Sequence, residues 1–432
     1  MQAMAAPSYY RASALTPPGF TALSGRREAA VCIVGGGFAG LNTALGLAER
    51  GVREVVLLDA ETVAHGASGR NGGFVFGGFS RGEAQLLAEL GPRRAHSLYQ
   101  GTQDAVELIR SRIARYSIPC QATDAGVLWA NWFRDPAPLR ARQKLLADHF
   151  DTRWDWVPRE ELAGQVLSQR YGDALFERNA LHFNPLEYAH GLARTAAGQG
   201  VAIHEQSPAI ALQRDGQAWR VRTPQGEVLA RQVVLACGGY LAGLRPEVDA
   251  GVLPIATYVM VTQPLGARMA EVLRTRAAIY DSRFAFDYYR PLPDTRLLWG
   301  GRISVFDRSP SVVKQLLYRD LMKVFPQLDG IGIDYAWSGL MSYARHQMPQ
   351  LGRVDEGLWL AQAFGGHGVA PTTFAGELLA AAIAGDDPRW REFAGYGLVS
   401  ALKPAGFVGA QLSYWWLQAR DAWRDRIERL SA

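Results

Sequence analysis

The sequence predicts a mixed α/β fold, in which a domain built on a parallel sheet holds an inserted domain built on an antiparallel sheet. At both ends of the chain, over residues 31–48 and 358–384, an apolar strand runs into a glycine-rich loop and then a helix. A third apolar strand, 233–236, also ends in glycines. Residues 257–300 instead form long aromatic-rich strands with a turn at Asp294, which is typical of an antiparallel hairpin. Strands that alternate with helices build parallel sheets, so the two ends are expected to fold together around the middle.

The first element, residues 31–34, is an apolar run that predicts a buried parallel strand. Gly35, Gly37 and Gly40 follow with the G-x-G-x-x-G spacing, and a second apolar strand ends at Asp59. These glycines allow a sharp turn, close approach of the backbone to a pyrophosphate, and close packing of helix on strand. The helix N-terminus offers N–H groups to phosphates, and Asp59 can accept hydrogen bonds from ribose hydroxyls. This unit therefore predicts a Rossmann-like dinucleotide site.

A second glycine-dense loop covers residues 66–73, and its Arg70 could either clamp a phosphate or lie in solvent.

After this loop, the periodicity of apolar residues predicts helices over residues 84–90, 102–116, 138–150, 186–198, 311–325 and 411–430. It predicts strands over 126–130, 201–204, 209–213, 219–223 and 227–230. The resulting boundaries place the parallel-sheet domain at residues 1–95, 155–255 and 335–400, the inserted domain at 96–154 and 256–334, and a C-terminal helical extension at 401–432.

Composition argues against several classes of protein. The chain of 432 residues has a formal net charge of +5, but its basic residues are nearly all Arg and are interspersed with acids, so no nucleic-acid partner is expected. Cys32, Cys120 and Cys237 have no paired spacing, which predicts neither a disulfide framework nor a metal site. No run of eighteen apolar residues and no signal-peptide pattern is present, so a cytoplasmic protein without a membrane span is expected.

These motifs resemble the FAD-dependent D-amino-acid oxidase/glycine oxidase superfamily over residues 8–425. The residues that carry the likeness are the fingerprint 35–40, Asp59, the loops 66–73 and 365–368, and the strand 233–239. The bacterial gamma-glutamylputrescine oxidase-like branch is the most similar, through Ser8-Tyr9-Tyr10, Asp287-Tyr-Tyr-Arg290, Phe325-Pro-Gln-Leu328 and Met348-Pro-Gln-Leu-Gly-Arg353.

The resemblance implies an enzyme that holds extended FAD, with the flavin ring at the boundary of the two domains. It implies oxidation of a carbon–nitrogen bond by hydride transfer to flavin N5, giving an imine that water hydrolyses to a carbonyl. The expected substrate is a small amine, a polyamine derivative such as gamma-glutamylputrescine. An amino- or imino-acid substrate (a D-amino acid, an N-methyl amino acid or pipecolate) and a role in RNA modification are the alternatives. Oxygen or a respiratory acceptor would take the electrons.

The resemblance also implies which residues bind FAD. They are Gly35, Gly37, Phe38, Ala39, Gly40, Asp59, Ala60, Gly66, Ala67, Ser68, Arg70, Asn71, Gly72, Gly73, Ala209, Ala236, Gly238, Gly365, Gly366, His367, Gly368 and Val369. The late helix that begins near Val369 would stabilise the anion that develops at N1–C2=O of the reduced flavin. No cysteine follows Cys237, so non-covalent FAD is expected, with His65 as the remaining attachment point.

The predicted catalytic residues are His367, Tyr289 and Arg302, and the predicted substrate residues are Tyr258, Tyr288, Tyr289, Arg290, Trp337 and His346. Alternation along a strand separates Tyr288 from Tyr289, so one of the two should line the pocket. Arg290 and Arg302 could each hold a substrate carboxylate or form salt bridges. The aromatic C-terminal helix, 411–430, could pack its aromatic face on the protein, which its acidic residues favour, or make peripheral contact with a membrane.

Overall fold

A computed structural model describes residues 8–385 and 387–430, so residues 1–7 of the predicted N-terminal domain and 431–432 of the predicted extension lie outside it. In chain order, the strands are β1 (Gly25–Val34), β2 (Val55–Leu58), β3 (Phe74–Val75), β4 (Val127–Ala130), β5 (Asp155–Val157), β6 (Ala174–Glu177), β7 (Leu181–His182), β8 (Ala202–His204), β9 (Ala211–Asp215), β10 (Ala218–Arg222), β11 (Gly226–Leu235), β12 (Leu253–Thr262), β13 (Ala278–Asp281), β14 (Tyr288–Pro291), β15 (Leu297–Ser304), β16 (Ile333–Tyr343), β17 (Gln350–Asp355) and β18 (Leu358–Gln362). The helices are α1 (Tyr9–Ser13), α2 (Phe38–Glu49), α3 (Glu83–Arg115), α4 (Ala137–His149), α5 (Arg159–Gln165), α6 (Pro185–Gly198), α7 (Pro246–Asp249), α8 (Pro310–Val324), α9 (Val369–Gly385) and α10 (Ala405–Leu430).

The first sheet has the strand order β17-β18-β11-β1-β2-β8, and β10 joins β11 to β9. Strands β18, β11, β1, β2 and β8 run parallel. Val34 pairs with Leu58 on one side and Leu235 on the other, and Leu235 pairs with Leu360. The carboxyl ends of four strands therefore meet at one edge, although they come from residues far apart in sequence. This confirms the predicted parallel sheet assembled from both ends of the chain.

The second sheet has the order β16-β12-β15-β14-β13-β4-β6-β5 and is antiparallel except where β13 pairs with β4. Strands β14 and β15 form the antiparallel hairpin that was predicted around Asp294. The apolar core beside the second sheet includes Tyr289 and Trp299 from the sheet and Leu317 and Leu321 from α8. A separate and larger core lies between the first sheet and helices α2, α3, α6 and α9.

Three strands belong to a different sheet from the one that the predicted boundaries imply. Strands β5, β6 and β16 are all hydrogen-bonded into the second sheet, whereas the boundaries at 155 and 335 assign β5, β6 and most of β16 to the parallel-sheet domain. The physical reason is that the sequence of a short strand such as β5 does not indicate which strand it will pair with. The sheet to which β5 belongs becomes clear only from the structure, in which β6 pairs with both β4 and β5. The other domain boundaries stay a prediction. Within the described residues, no helix has both the length and the apolar character that crossing a bilayer requires.

Candidate active site

A large cavity of about 1550 Å³ runs from the carboxyl edge of the first sheet to the second sheet. At one end it is lined by Gly35, Gly37 and Asp59, and at the other by Tyr288 and the loop 365–368. Small-molecule sites usually enclose about 300–1,000 Å³, so this cavity has room for a long ligand and a second molecule beside it.

The glycine loop after β1 is shaped by close backbone approaches. Gly35 has φ +110°, and a Cβ added there would lie 2.6 Å from the carbonyl oxygen of Ala236. A Cβ added at Gly40 would lie 1.9 Å from the carbonyl oxygen of Gly35, and one at Gly37 would lie 2.9 Å from Ser68 Oγ. Backbone atoms therefore restrict Gly35 and Gly40 to glycine, whereas a side chain at Gly37 would displace the Ser68 hydroxyl. The loop sets the N-terminus of α2 against the cavity wall.

Asp59 stands directly after β2 and faces the same cavity. Its Oδ2 accepts a hydrogen bond from the backbone N–H of Gly36 at 2.7 Å, and its Oδ1 accepts one from Glu61 at 2.9 Å. Burial raises the pKa of Asp59, and these two N–H donors offset part of that rise. A carboxylate held in this way beside a helix N-terminus suits a ribose next to a pyrophosphate.

The loop 66–73 is tied together by its own side chains. Asn71 Nδ2 donates to the carbonyl oxygens of Ala67 and Ser68, at 3.1 and 2.9 Å, and Asn71 Oδ1 accepts from the N–H of Gly73 at 2.8 Å. Ser68 Oγ accepts from the N–H of Phe38, the first residue of α2, at 2.9 Å. The loop is thereby fixed against the start of that helix.

Arg70 does not line the cavity, so the prediction that it clamps a phosphate is wrong. Its Nε donates to the carbonyl oxygen of His65 at 2.8 Å, and its Nη1 donates to that of Ser338 on β16 at 3.3 Å. The guanidinium thus joins the loop to the second sheet. Burial lowers the pKa of Arg70, because these neutral carbonyls do not compensate for lost hydration.

At the other end of the cavity, the loop before α9 turns at Gly365, which has φ +63°. The N–H of Gly366 donates to Tyr343 Oη at 2.8 Å, and the N–H of Gly365 donates to the carbonyl oxygen of Ser342. Gly365, Gly366, Gly368 and Val369 all line the cavity, so the positive end of the α9 dipole faces it.

His367 lies at this end, between the loop and the second sheet. Its Nε2 is 2.7 Å from the carbonyl oxygen of Gly77, and its ring meets Phe76 edge-on with centroids 4.3 Å apart. Burial lowers the pKa of His367 to about 4, so the imidazole is neutral at pH 7. A Cβ added at Gly78 would lie 3.4 Å from Glu83 Oε1 and 3.8 Å from His367 Cε1, so both side chains border this glycine.

Five aromatic side chains surround the cavity where it meets the second sheet: Phe74, Phe76, Tyr280, Phe286 and Tyr288, here called the aromatic belt. Successive ring centroids are 6.3 Å (Phe74–Phe76), 5.6 Å (Phe76–Tyr280), 5.6 Å (Tyr280–Phe286), 6.2 Å (Phe286–Tyr288) and 5.5 Å (Tyr288–Phe74) apart, so the circuit closes. The sequence-based prediction found only Tyr288 of this set. For Phe74, Phe76 and Phe286 the signal is the spacing of two residues within the pairs 74/76 and 286/288, which puts both rings of a pair on one side of an extended chain. Tyr280 belongs to neither pair.

Away from the nucleotide end, the cavity is lined by three arginines, Arg142, Arg302 and Arg345. Arg142 Nη2 lies 2.8 Å from Glu83 Oε1. Burial raises the pKa of Glu83, but the Arg142 guanidinium more than offsets this and keeps the pKa below its ordinary value. Arg302 makes a two-point contact with Asp320, Nε to Oδ2 at 2.6 Å and Nη2 to Oδ1 at 3.1 Å. Arg345 is exposed at the rim.

Tyr289 and Arg290 lie away from the cavity, and their predicted contacts with substrate are wrong. Tyr289 points to the other side of the sheet from Tyr288, where it stacks on Trp299 with centroids 4.6 Å apart. Arg290 is buried, and its Nε and Nη2 donate to the carbonyl oxygens of Gly72 and Phe183 at 2.7 and 2.8 Å. Because its hydrogen bonds hold the glycine loop to β14, Arg290 supports the site from behind.

Tyr258, Trp337 and His346 are likewise not at the cavity, which corrects the prediction for each. The Tyr258 hydroxyl donates to the carbonyl oxygen of Phe306, Trp337 Nε1 donates to that of Arg70 at 2.9 Å, and His346 Nε2 is 3.3 Å from that of Gly397. Of the predicted FAD residues, Gly40, Arg70 and Gly73 do not line the cavity and the others do. His65 and Cys237 also line the cavity. That FAD is bound non-covalently stays a prediction.

The donors of this cavity fit a dinucleotide that carries a redox-active ring. A cradle that any Cβ would fill faces two helix N-termini, and Asp59 stands where a ribose would lie. The opposite end offers the neutral His367, the start of α9 and the aromatic belt. Within the described residues, no cluster of three potential metal ligands is found.

Comparison with known proteins agrees with this geometry. Residues 30–382 match the family model described as FAD dependent oxidoreductase. The chain is 35% identical over 389 residues to the gamma-glutamylputrescine oxidoreductase of Escherichia coli (strain K12), with 90% of this chain and 91% of the relative covered. It is 32% identical over 407 residues to a probable oxidoreductase OrdL of Haemophilus influenzae, with 90% of each covered. The crystal structure of glycine oxidase from Geobacillus kaustophilus shares the fold, with a TM-score of 0.73 at 20% identity, and covers 86% of this chain and 99% of its own.

Proposed function

This chain belongs to the family of FAD-dependent oxidoreductases, and on that basis we propose that it oxidises an amine whose reacting carbon bears no carboxylate, such as gamma-glutamylputrescine. The observation that carries the proposal is the pairing of the two arginines inside the cavity, Arg142 with Glu83 and Arg302 with Asp320. An α-amino or α-imino acid would bring its own carboxylate to this depth. That carboxylate would need an unpaired guanidinium, because burying an unpaired charge is costly.

The aromatic belt supports an alkylamine as the group that enters. Its rings can enclose an alkyl chain, and their faces attract an ammonium group with about 0.5–2 kcal/mol each. A carboxylate far from the reacting carbon, as in a γ-glutamyl group, could meet Arg345 at the rim.

In this mechanism the residues of the chain bind and orient. Bound FAD supplies the acceptor of the hydride that leaves the carbon next to nitrogen. The glycine loop and the start of α2 would hold the pyrophosphate, and Asp59 would hold a ribose. The start of α9 would present partial positive charge to the flavin, and neutral His367 would add no full charge there. The aromatic belt excludes water and holds the substrate carbon in line.

Relative rates of flavin reduction test the proposal directly. The purified holoenzyme is mixed without oxygen with gamma-glutamylputrescine, putrescine, glycine, D-alanine, sarcosine or pipecolate, and the loss of flavin absorbance is followed. We expect an amine to reduce the flavin at least about a hundredfold faster than any of the α-amino or α-imino acids, because Arg142 and Arg302 already pair with Glu83 and Asp320. Arg302→Gln should leave this preference unchanged. Fast reduction by a small amino acid that Arg302→Gln abolishes would contradict the proposal.

Removing rings of the aromatic belt should weaken amine binding. For Phe76→Leu and Phe286→Leu we expect the KM or Kd for the amine to rise about 2- to 30-fold each, the equivalent of one lost cation–π contact. Phe306→Leu is the matched control, since Phe306 is an exposed phenylalanine outside the belt. Anaerobic titrations of all three variants supply the comparison, and equal affinity in all of them would exclude the belt from substrate binding.

The final electron acceptor (oxygen or a respiratory acceptor) and the cytoplasmic location remain proposals.

A further inference from the structure

The long C-terminal helix α10 turns its large apolar side chains away from the protein. Their exposed fractions are 61% for Val408, 56% for Leu412, 55% for Trp415, 64% for Trp416, 66% for Trp423, 47% for Ile427 and 79% for Leu430. The favoured prediction, that the aromatic face packs on the protein, is therefore wrong for the three tryptophans. Tyr414 alone of the four helix aromatics in the segment 411–430 packs inward, with its ring 5.8 Å from that of Phe284.

These seven side chains lie on one face of the helix. With 3.6 residues per turn, their directions fall within an arc of about 120° over a helix about 39 Å long. We call this arc the outer face. The opposite face fastens the helix to the second domain, where Gln411 Oε1 accepts from Ser304 Oγ and the N–H of Val305, both at 3.0 Å. The outer face is thus a continuous apolar surface on a firmly held helix, and a large exposed apolar patch of this kind marks an interaction site.

The acids of α10 lie on the inner side, and two of its arginines are exposed on the outer side. Its acids turn inward: Asp421 Oδ2 accepts from the N–H of Phe284 at 2.7 Å, and Glu428 Oε2 accepts from that of Arg134 at 2.7 Å. Among its described basic residues, Arg420 is exposed at one edge of the outer face and Arg426 is exposed within that face, whereas Arg424 is half-buried and pairs with Asp135 and Glu428. An apolar arc with tryptophans and exposed arginines is the composition of a helix that lies in the interface of an anionic bilayer.

A second copy of the chain fits this surface less well. In a two-fold symmetric dimer the same patch meets itself, so the exposed arginines of one outer face would be brought against those of the other. Asp421 pairs with Arg420 at 3.1 Å and offsets part of that repulsion, so the exposed Arg426 contributes most of it. Anionic headgroups would pair with these arginines, while the tryptophan rings reach the acyl boundary.

We propose that the outer face of α10 docks the enzyme on an anionic membrane surface, with the helix parallel to the bilayer. The helix lies on the membrane and does not cross it. The proposal does not depend on the identity of the amine substrate. Because Gly406, Gly409, Ala410, Ser413 and Tyr414 of the same helix line the cavity, docking also brings one cavity wall close to the bilayer.

Flotation of the holoenzyme with vesicles tests the proposal. Vesicles of phosphatidylcholine and phosphatidylglycerol, mixed two to one, are compared with vesicles of phosphatidylcholine alone, and flavin absorbance reports the bound enzyme. We expect binding to the anionic vesicles that weakens with added salt. Combining Trp415→Ser, Trp416→Ser and Trp423→Ser should reduce the partition coefficient at least about tenfold, since each buried tryptophan side chain contributes apolar transfer energy. Arg420→Gln and Arg426→Gln should each reduce it about fivefold on the anionic vesicles.

The matched control combines Leu15→Ser, Ile210→Ser and Val354→Ser, three exposed apolar residues elsewhere on the surface. It should bind like the parent enzyme, and all variants should keep their FAD and their thermal melting point. The proposal is overturned if the parent enzyme ignores both kinds of vesicle. It is also overturned if the tryptophan variant binds as well as the parent, or if the parent is a dimer that this variant converts to monomers. Because amine oxidation is measured separately, failure here leaves the proposed reaction untouched, and the reverse also holds.

Discussion

Gly40→Ala is expected to yield a protein that folds but no longer retains FAD. The added methyl group would lie 1.9 Å from the carbonyl oxygen of Gly35, an atom of the backbone that cannot rotate away. The start of α2 must therefore move outward from β1, and the N–H groups at that helix start then miss the pyrophosphate. A hydrogen bond to a charged group contributes about 1.5–3 kcal/mol, so loss of even one N–H contact with the pyrophosphate should raise the Kd for FAD at least about tenfold.

The measurement is the flavin absorbance per polypeptide after purification, followed by calorimetric titration with FAD. Gly164→Ala is the control, because Gly164 is also helical and a Cβ there would meet nothing within 4 Å. It should keep its full complement of FAD and gain helix stability of about 0.5–1 kcal/mol. Circular dichroism of the FAD-free variants separates a lost cofactor from a lost fold. A Gly40→Ala protein that is purified yellow, with unchanged affinity, would refute the assignment of this loop as the pyrophosphate site.

Arg112→Met is expected to cost about 1–3 kcal/mol of folding free energy, less than for a fully buried ion pair, because Glu49 and Glu377 are partly exposed and Glu377 keeps its contact with Arg50. The Arg112 side chain is 1% exposed, and its Nη2 lies 2.5 Å from both Glu49 Oε2 and Glu377 Oε1. Its Nη1 donates to Asn42 Oδ1 at 2.7 Å. One guanidinium thus joins α2, α3 and α9, the helices that cover the first sheet and carry both cavity-facing N-termini.

Thermal melting of the holoenzyme should show this loss as a decrease of several degrees in Tm, with some loss of FAD. Arg110→Met is the control on the same helix. Arg110 pairs with Glu107 and Asp124 near the surface, and loss of such exposed pairs costs about 0–1 kcal/mol. Equal melting points for the two variants would contradict the role assigned to Arg112.

The same contact predicts a dependence on pH. Burial raises the pKa of Glu49, but hydrogen bonds from Arg112 and Tyr116 outweigh it and bring the pKa below the ordinary value of 4.5. A carboxyl whose pKa is lower in the folded state stabilises the fold above its unfolded pKa, and this contribution is lost as the pH falls through the folded value. The difference in Tm between the parent enzyme and Arg112→Met should therefore be largest near neutral pH and decrease below pH 4.5.

The features that could be predicted from sequence are those whose cause is local. Gly35, Gly37 and Gly40 belong to one strand–loop–helix unit, so their spacing alone predicts the turn and the site beside it. The alternation of Tyr288 and Tyr289 likewise follows from strand geometry, and the structure places one in the cavity and the other in the core. Residues of this kind depend on neighbours that are close along the chain.

The features that could not be predicted depend on partners far away in the sequence. Whether Arg302 meets a substrate or a protein carboxylate was decided by Asp320, which reaches it from α8. Arg290 and Arg70 became supports because the carbonyl groups of Phe183 and Ser338 lie beside them. Sequence alone thus determined the family of the chain, the cradle for the cofactor and the parallel sheet, since these follow from local backbone geometry. Only the tertiary structure decided which charges are already paired, which rings enclose the cavity and which face of α10 meets the solvent, because long side chains take their roles from whatever distant residue packs against them.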